Sequence, residues 1–245
     1  MADNKTHKQK NVILGVGAHP DDMDFGASGT MAKYIEDGWE GYYIVATDGS
    51  RGSNDPKMTH ERLAQTRTDE QMKAAKILGL KDVFFLGHTD TQLVADLILK
   101  EQIVRIIRTI KPKIVITMDP TFYYAENSPW SDAAWVNHTD HRNIALATMD
   151  AVFPLSRDRL TFLEHERDKL SPHRVEELWL TAFDHTKFLV NITSTFDKKI
   201  KALIEHQSQF DDFPKVEKRV TERARHHARE MEYEFAESFI RLVMP

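Results

Sequence analysis

The chain has 245 residues, 41% of them hydrophobic and 29% charged, with a net charge of −5 and no cysteine. That length fits one α/β domain able to bury a sizeable core, and the acidic balance argues against a general nucleic-acid binder. Disulfides and thiolate metal sites are excluded, so any metal must be held by His, Asp or Glu.

Residues 1–10 read as a polar, frayed tail without an apolar signal core. No run approaches the ~18 apolar residues of a membrane span, and the expectation is a cytoplasmic protein. Val12, Ile13, Leu14 and Val16 form a short apolar run typical of a buried strand. Pro20 biases His19 away from helical dihedrals and ends that strand. His19, Asp21 and Asp22 therefore sit on a tight turn at a strand's carboxyl end, where open α/β sheets bind ligands. A helix cap would need one carboxylate, not His-Pro-Asp-Asp.

A helix is expected from about Ser28 to Asp37, stopped by Gly38, and a second strand over Gly41 to Thr47. A polar loop, Asp48 to Asn54, follows at the same rim if the strands are parallel. Thr59 opens a long amphipathic helix with Leu63, Met72, Ala75 and Leu78 inward, and Arg62, Arg67, Asp69, Glu70 and Lys73 mostly outward. Taken alone, Arg67 and Glu70 read as a solvated i, i+3 ion pair. Val83 to Leu86 is a third strand, Val94 to Ile110 a helix with a broad apolar stripe, and Ile114 to Thr117 a fourth strand. The alternation is that of βαβ units on a parallel sheet.

Residues 119–137 interrupt the rhythm. The segment is aromatic-rich and too long for an ordinary connection, which marks it as a lid or an oligomer contact. A helix from about Asn143 to Phe153, a charged surface insertion over 155–175, strands at Glu177–Phe183 and Phe188–Ile192, and a helix over Phe196–His206 follow. The tail from Val216 to Leu242 reads as a charged helix docking Tyr233, Phe235, Phe239 and Leu242. Arg51 reads as a surface charge, His185 as a turn residue, and His88 as either loop or support for the site. His7, His60, His165, His173, His206, His226 and His227 are expected in solvent.

Catalytic zinc takes three protein ligands and keeps one position open. His19 and Asp22 supply two; the pair His138 and His141 supplies the third and leaves one imidazole over. Asp140 can accept a ring N–H from either histidine. Asp21 is placed to act as general base, and the spare histidine to steady an oxyanion or protonate a leaving amine.

Ala-His-Pro-Asp-Asp after the first strand, Thr-Asp-Gly after the second, Leu63-x-x-x-Arg67-x-x-Glu70 before Leu-Gly-Leu, and a late His-x-Asp-His resemble the LmbE-like, or PIG-L, family. The resemblance runs from Val12 to about Ala151, with Tyr233-x-Phe235-Ala236-Glu237-x-Phe239 similar to the family's ending. It implies a Rossmann-like α/β three-layer sandwich with a mainly parallel sheet, a single domain over residues 1–245, and a homo-oligomer. It also implies hydrolysis of the N-acetyl group of an amino sugar; the acidic balance and the lack of a membrane span add the expectation of a small, soluble substrate and of no nucleic-acid or membrane partner. Carried over by residue, it makes His19, Asp22 and His141 ligands of zinc or another divalent metal and Asp21 the base. His138 becomes the oxyanion or acid group oriented by Asp140, and Arg67 and Asp90 contact the sugar. An amidase or esterase on another acyl group, or a sugar-binding protein without catalysis, are the competing readings. Two departures stand out: Asp24 replaces the family's usual glutamate, and 119–137 is longer than usual, with Tyr123 or Tyr124 as candidates for the family's tyrosine.

Overall fold

The computed structural model describes residues 10–126, 134–181 and 188–245. Its central sheet is built on strand β1 (Val12–Gly17), whose alternate side chains feed two separate cores. Ile13 faces one, while Val12, Leu14 and Val16 face the other. That two-sided burial is why the strand reads as a continuous apolar run.

The chain continues through α1 (Asp22–Glu36), β2 (Glu40–Thr47), α2 (His60–Leu78), β3 (Asp82–His88), α3 (Leu97–Ile110) and β4 (Ile114–Met118). A short hairpin, β5 (Tyr124–Ala125) with β6 (Trp135–Val136), leads into α4 (Thr139–Asp150). Then come β7 (Glu177–Thr181), β8 (Phe188–Asn191), α5 (Phe196–Leu203), α6 (Phe213–Ala228) and β9 (Ala236–Val243). The strand order is β3-β2-β1-β4-β7-β9-β8. Every pairing from β3 to β7 is parallel, and β9 runs antiparallel to both of its neighbours.

One core packs α1, α2, α5 and α6 on the sheet, and the other packs α3 and α4. This is a three-layer α/β sandwich with a mostly parallel sheet. The chain leaves β1 toward β2 and returns to β1's other side as β4. The gap above the carboxyl ends of those two strands is therefore the topological switch point.

Several expected boundaries move. Helix α1 starts at Asp22, six residues before Ser28, because the turn at Asp21 (φ 103°) feeds straight into it. Helix α3 starts at Leu97, where the Asp96 side chain accepts from the Leu99 N–H, so Val94 precedes it and Leu97 and Ile98 are exposed. Helix α4 starts at Thr139 with His138 as its cap. On α2, Met72 is exposed whereas Arg67 and Glu70 are buried, the reverse of the expected faces.

The largest correction is the tail. Helix α6 ends at Ala228, and Ala236–Val243 is a strand inserted between β7 and β8. Phe239 enters one core while Ile240 and Leu242 pack against the other, a two-sided alternation that a helix would not produce. The insertion at 155–175 carries a short 3-10 turn at Leu163–Glu166, but His165 is fully buried, in hydrogen-bond contact with Arg108 and Glu101. Residues 1–9, Trp130, Phe183 and His185 lie outside the described residues.

Candidate active site

The turn after β1 closes on its own aspartate. Asp22 Oδ2 accepts the backbone N–H groups of Ala18 (2.8 Å) and His19 (2.7 Å), which leaves Oδ1 facing His141 Nε2 at 3.1 Å. Glycine is required at position 17, since a Cβ there would stand 2.9 Å from Asp22 Cβ. His141 arrives from the first turn of α4, so the switch point brings together two turns more than a hundred residues apart.

Three side chains converge. His19 Nδ1 lies 3.2 Å from His141 Nε2 and 3.5 Å from Asp22 Oδ2. A tetrahedral ion bonded at about 2.0–2.1 Å places its ligand atoms about 3.4 Å apart, so the spacing suits one shared cation. Each imidazole is held from behind, as metal-binding histidines generally are. His19 Nε2 faces Asp90 Oδ1 at 3.1 Å and Asp140 Oδ2 at 3.4 Å, and His141 Nδ1 faces Asn137 Oδ1 at 3.1 Å.

The charges also call for a cation. Asp90 and Asp140 are buried, the Asp22 side chain is 8% exposed, and among the described residues none of the three forms an ion pair with a Lys or Arg side chain. Burial opposes ionising Asp22, but the His141 and His19 imidazoles outweigh it and hold the carboxyl well below its usual range. Burial likewise works against a charge on His19, yet Asp22, Asp140 and Asp90 together raise its pKa well above the ordinary value. Burial opposes a charged Asp90 as well, and its bonds from His19 and the Arg51 amide bring it to about 2.

Asp21 stands beside this cluster in the left-handed region of backbone space, φ 103°. Its amide donates to Gln71 Oε1 (3.0 Å), Gln71 donates to Asp24 Oδ2 (2.9 Å), and the buried Asp24 also bonds His206 Nε2 (2.7 Å) and the Tyr43 hydroxyl. Arg67 reaches the turn from α2, donating to the Pro20 carbonyl (2.7 Å), Asp21 Oδ2 (3.2 Å) and the Gly49 carbonyl (3.3 Å). Burial pushes the Asp21 carboxyl above its usual range against the pull of Arg67. A carboxylate so placed can accept a proton.

Asp90 and Asp140 both stand behind His19. Asp90 does not line the cavity, and its Oδ1 lies 3.1 Å from His19 Nε2. The Asp140 carboxylate accepts the N–H groups of Thr91 (2.7 Å) and Leu93 (3.3 Å) and faces His19, whereas His138 Nδ1 is 3.9 Å away. Instead the Asp140 backbone N–H donates to His138 Nδ1 (3.2 Å). Burial and the neighbouring imidazoles lower the His138 pKa. Because Nδ1 accepts the Asp140 amide, a ring N–H is left on Nε2, available as a donor.

Glu70 does not pair with Arg67 but receives the Ser208 N–H (2.8 Å) and hydroxyl (2.7 Å). His88 bonds Gln102 at 2.7 Å, away from the cluster, and the backbone N–H of Arg51 holds Asp90. His206 is fully buried. Asn137, Gln71 and His206 were not singled out in the sequence as site residues; an amide or a lone histidine carries no motif. A weak signal existed for Asn137 alone, which immediately precedes the histidine pair.

A cavity of about 410 Å³ opens over the cluster, within the range of small-molecule sites. His19, Asp21, Asp22, Arg67, His138 and His141 form its floor. Phe25, Phe122 and Trp135 supply aromatic walls, and Val216, Arg219 and Arg223 a side from α6. The aromatic insertion is thus split. Phe122 and Trp135 face the cavity with ring centroids 5.4 Å apart, while Tyr123 and Tyr124 are exposed and line none of it.

Comparison with known proteins adds the following. A family model described as PIG-L, GlcNAc-PI de-N-acetylase, matches residues 14–152. The diacetylchitobiose deacetylase of Thermococcus kodakarensis is 28% identical over 209 residues, covering 85% of this chain and 74% of that one. A probable N-acetyl-α-D-glucosaminyl L-malate deacetylase 2 of Bacillus anthracis is 26% identical, covering 83% of each chain. The solved structure of N,N'-diacetylchitobiose deacetylase from Pyrococcus horikoshii, in complex with its inhibitor MPG, matches with a TM-score of 0.85. It is 26% identical, and the match covers 96% of this chain and 85% of that one.

Proposed function

The chain belongs to the PIG-L family, and from that premise we propose that it is a zinc-dependent deacetylase acting on a small N-acetylglucosamine conjugate. It is a hydrolase of carbon–nitrogen amide bonds, as its relatives are. One observation carries the reading: His19 Nδ1, Asp22 and His141 Nε2 meet at 3.1–3.5 Å on the floor of the cavity that Asp21 also lines. Two imidazoles and a carboxylate are a donor set that suits zinc. When bound there, a divalent ion supplies a Lewis acid and an acidified water with pKa about 7.

The chain's own groups do the rest. Asp21 takes the proton of the water that attacks the acetamide carbon, then passes it to the departing amine. Arg67 holds that carboxylate and the turn that carries it. His138 offers Nε2–H to the carbonyl oxygen as negative charge gathers on it, a contribution worth about 10²–10³ in rate where such donors have been removed. Asp90, Asp140 and Asn137 keep His19 and His141 turned with a lone pair toward the shared point.

The test is acetate release from N-acetylglucosamine conjugates, set against simple acyl amides and esters, with and without a chelator. Chelation abolishes release and zinc restores it. Asp21→Asn abolishes turnover while metal content and folding persist; a fully active Asp21→Asn protein refutes the assignment.

A further inference from the structure

Among the described residues, every carboxylate on the cavity wall already has partners. Asp21 is bonded by Arg67 at 3.2 Å, and Asp22 by two backbone N–H groups and His141. Asp119 Oδ1 accepts the backbone N–H (2.8 Å) and hydroxyl (2.7 Å) of Thr121. Arg67 is likewise committed, to Asp21 and two carbonyls.

The side formed by α6 is different. Val216, Arg219 and Arg223 are spaced i, i+3, i+7, so one helix face turns toward the cavity. Four other cations of this helix and its end have carboxylate partners. Lys215 meets Asp212 at 2.8 Å, Lys218 meets Glu222 at 3.9 Å, Arg225 meets Glu234 at 2.8 Å, and Arg229 meets Glu230 at 3.5 Å. Among the described residues, no carboxylate pairs with Arg219. Beside it, Arg223 Nε donates to His227 Nε2 at 3.4 Å, which fixes that side chain's course along the wall.

The chain as a whole is acidic, at −5, so its overall field does not favour anions. An arginine at the cavity's side with no acidic partner among the described residues is a local reversal of that field. A neutral sugar gains little from it, since water satisfies the guanidinium equally well. A carboxylate or phosphate gains two parallel N–H···O bonds from the planar fork.

We propose that the substrate carries an acidic group on the part remote from its acetamide and that Arg219 binds it. This rests on the deacetylase reading above and narrows it from N-acetylglucosamine conjugates in general to anionic ones.

The experiment compares kcat/KM of the zinc-loaded protein for four probes. Two are neutral, the methyl glycoside of N-acetylglucosamine and N,N'-diacetylchitobiose. Two are anionic, N-acetyl-α-D-glucosaminyl L-malate and N-acetylglucosamine 1-phosphate. At low ionic strength at least one anionic probe exceeds the neutral ones by about tenfold, and salt erodes the advantage. The two anionic arms distinguish a carboxylate from a phosphate. Arg219→Gln brings the preferred anionic probe down to the neutral level. Lys218→Gln, one position away and already paired with Glu222, leaves the preference intact. Equal turnover of neutral and anionic probes, or an Arg219→Gln effect of the same size on all four, overturns the inference while leaving the deacetylase reading standing. Robust folding and zinc content with no acetate from any probe overturns the deacetylase reading itself.

Discussion

Asp90→Asn separates a residue that positions an imidazole from one that touches substrate. Both carboxylate oxygens of Asp90 are acceptors: Oδ1 faces His19 Nε2 at 3.1 Å, and Oδ2 takes the Arg51 backbone N–H at 3.1 Å. Asparagine offers one acceptor and one donor. The Arg51 amide can only donate, so the new carbonyl turns to it and the new NH₂ faces His19. His19 must then either leave that contact unmade or move its proton from Nε2 to Nδ1, the nitrogen that points at His141 and Asp22. Supporting residues of this kind are worth about 10–100-fold in metal affinity. Asp140 Oδ2, 3.4 Å from the same nitrogen, still accepts from it and limits the loss. We expect zinc affinity to fall about tenfold, or about 1.4 kcal/mol, read by competition with a chromophoric chelator. Saturating zinc restores most of kcat, and Asp90→Asn with Asp140→Asn together costs more than either alone. An unchanged zinc affinity with a raised KM would refute this reasoning and return Asp90 to the substrate.

Trp135→Ala raises KM about three- to tenfold with a smaller change in kcat, the loss expected of one aromatic wall. Tyr124→Ala, on the exposed side of the same hairpin, stays within twofold; similar effects of the two would deny the split between faces. His227 contributes a pH dependence of stability, because burial and the nearby Arg223, His226 and Arg229 lower its pKa to about 4. The unfolded chain takes up that proton near pH 6.5 and the folded one only near 4, so stability is lost as pH falls between those values. His227→Gln, measured after chelation to remove the metal's own pH dependence, flattens the decline in thermal midpoint by the equivalent of roughly 2 kcal/mol. An unchanged slope between pH 7 and 4 counts against it.

The parallel half of the fold was legible because β1, β2 and β4 are buried on both faces and write themselves as apolar runs. Asp96 and His138 were harder to read as helix starts, since each shifts a boundary through a single side-chain hydrogen bond. Strand β9 was hidden by composition. The charged stretch of α6 runs without Gly or Pro into Ala236–Val243, so nothing local marks the change from one period to the other. Arg67 and Glu70 misled for a related reason. At i, i+3 they look like a surface pair, yet each is buried against a different partner, and only the tertiary fold supplies those partners. Asp24 with His206 is the same case across an even longer stretch of sequence.

The unevenness follows the division of labour in the site. The proposed metal donors and base lie on two turns that the chain must make where β1 ends and α4 begins, so their spacing survives as motif. The walls that would sort substrates come from the 119–137 segment and from α6, elements whose inward faces are set by packing against the rest of the fold. Arg219 is one cation among many on a charged helix until the fold shows which face looks inward. Chemistry in this chain is therefore written locally, and selectivity is written in the tertiary structure. That is why the proposed reaction rests on residues 19–22 and 138–141, and the proposed preference for an anionic substrate on residue 219.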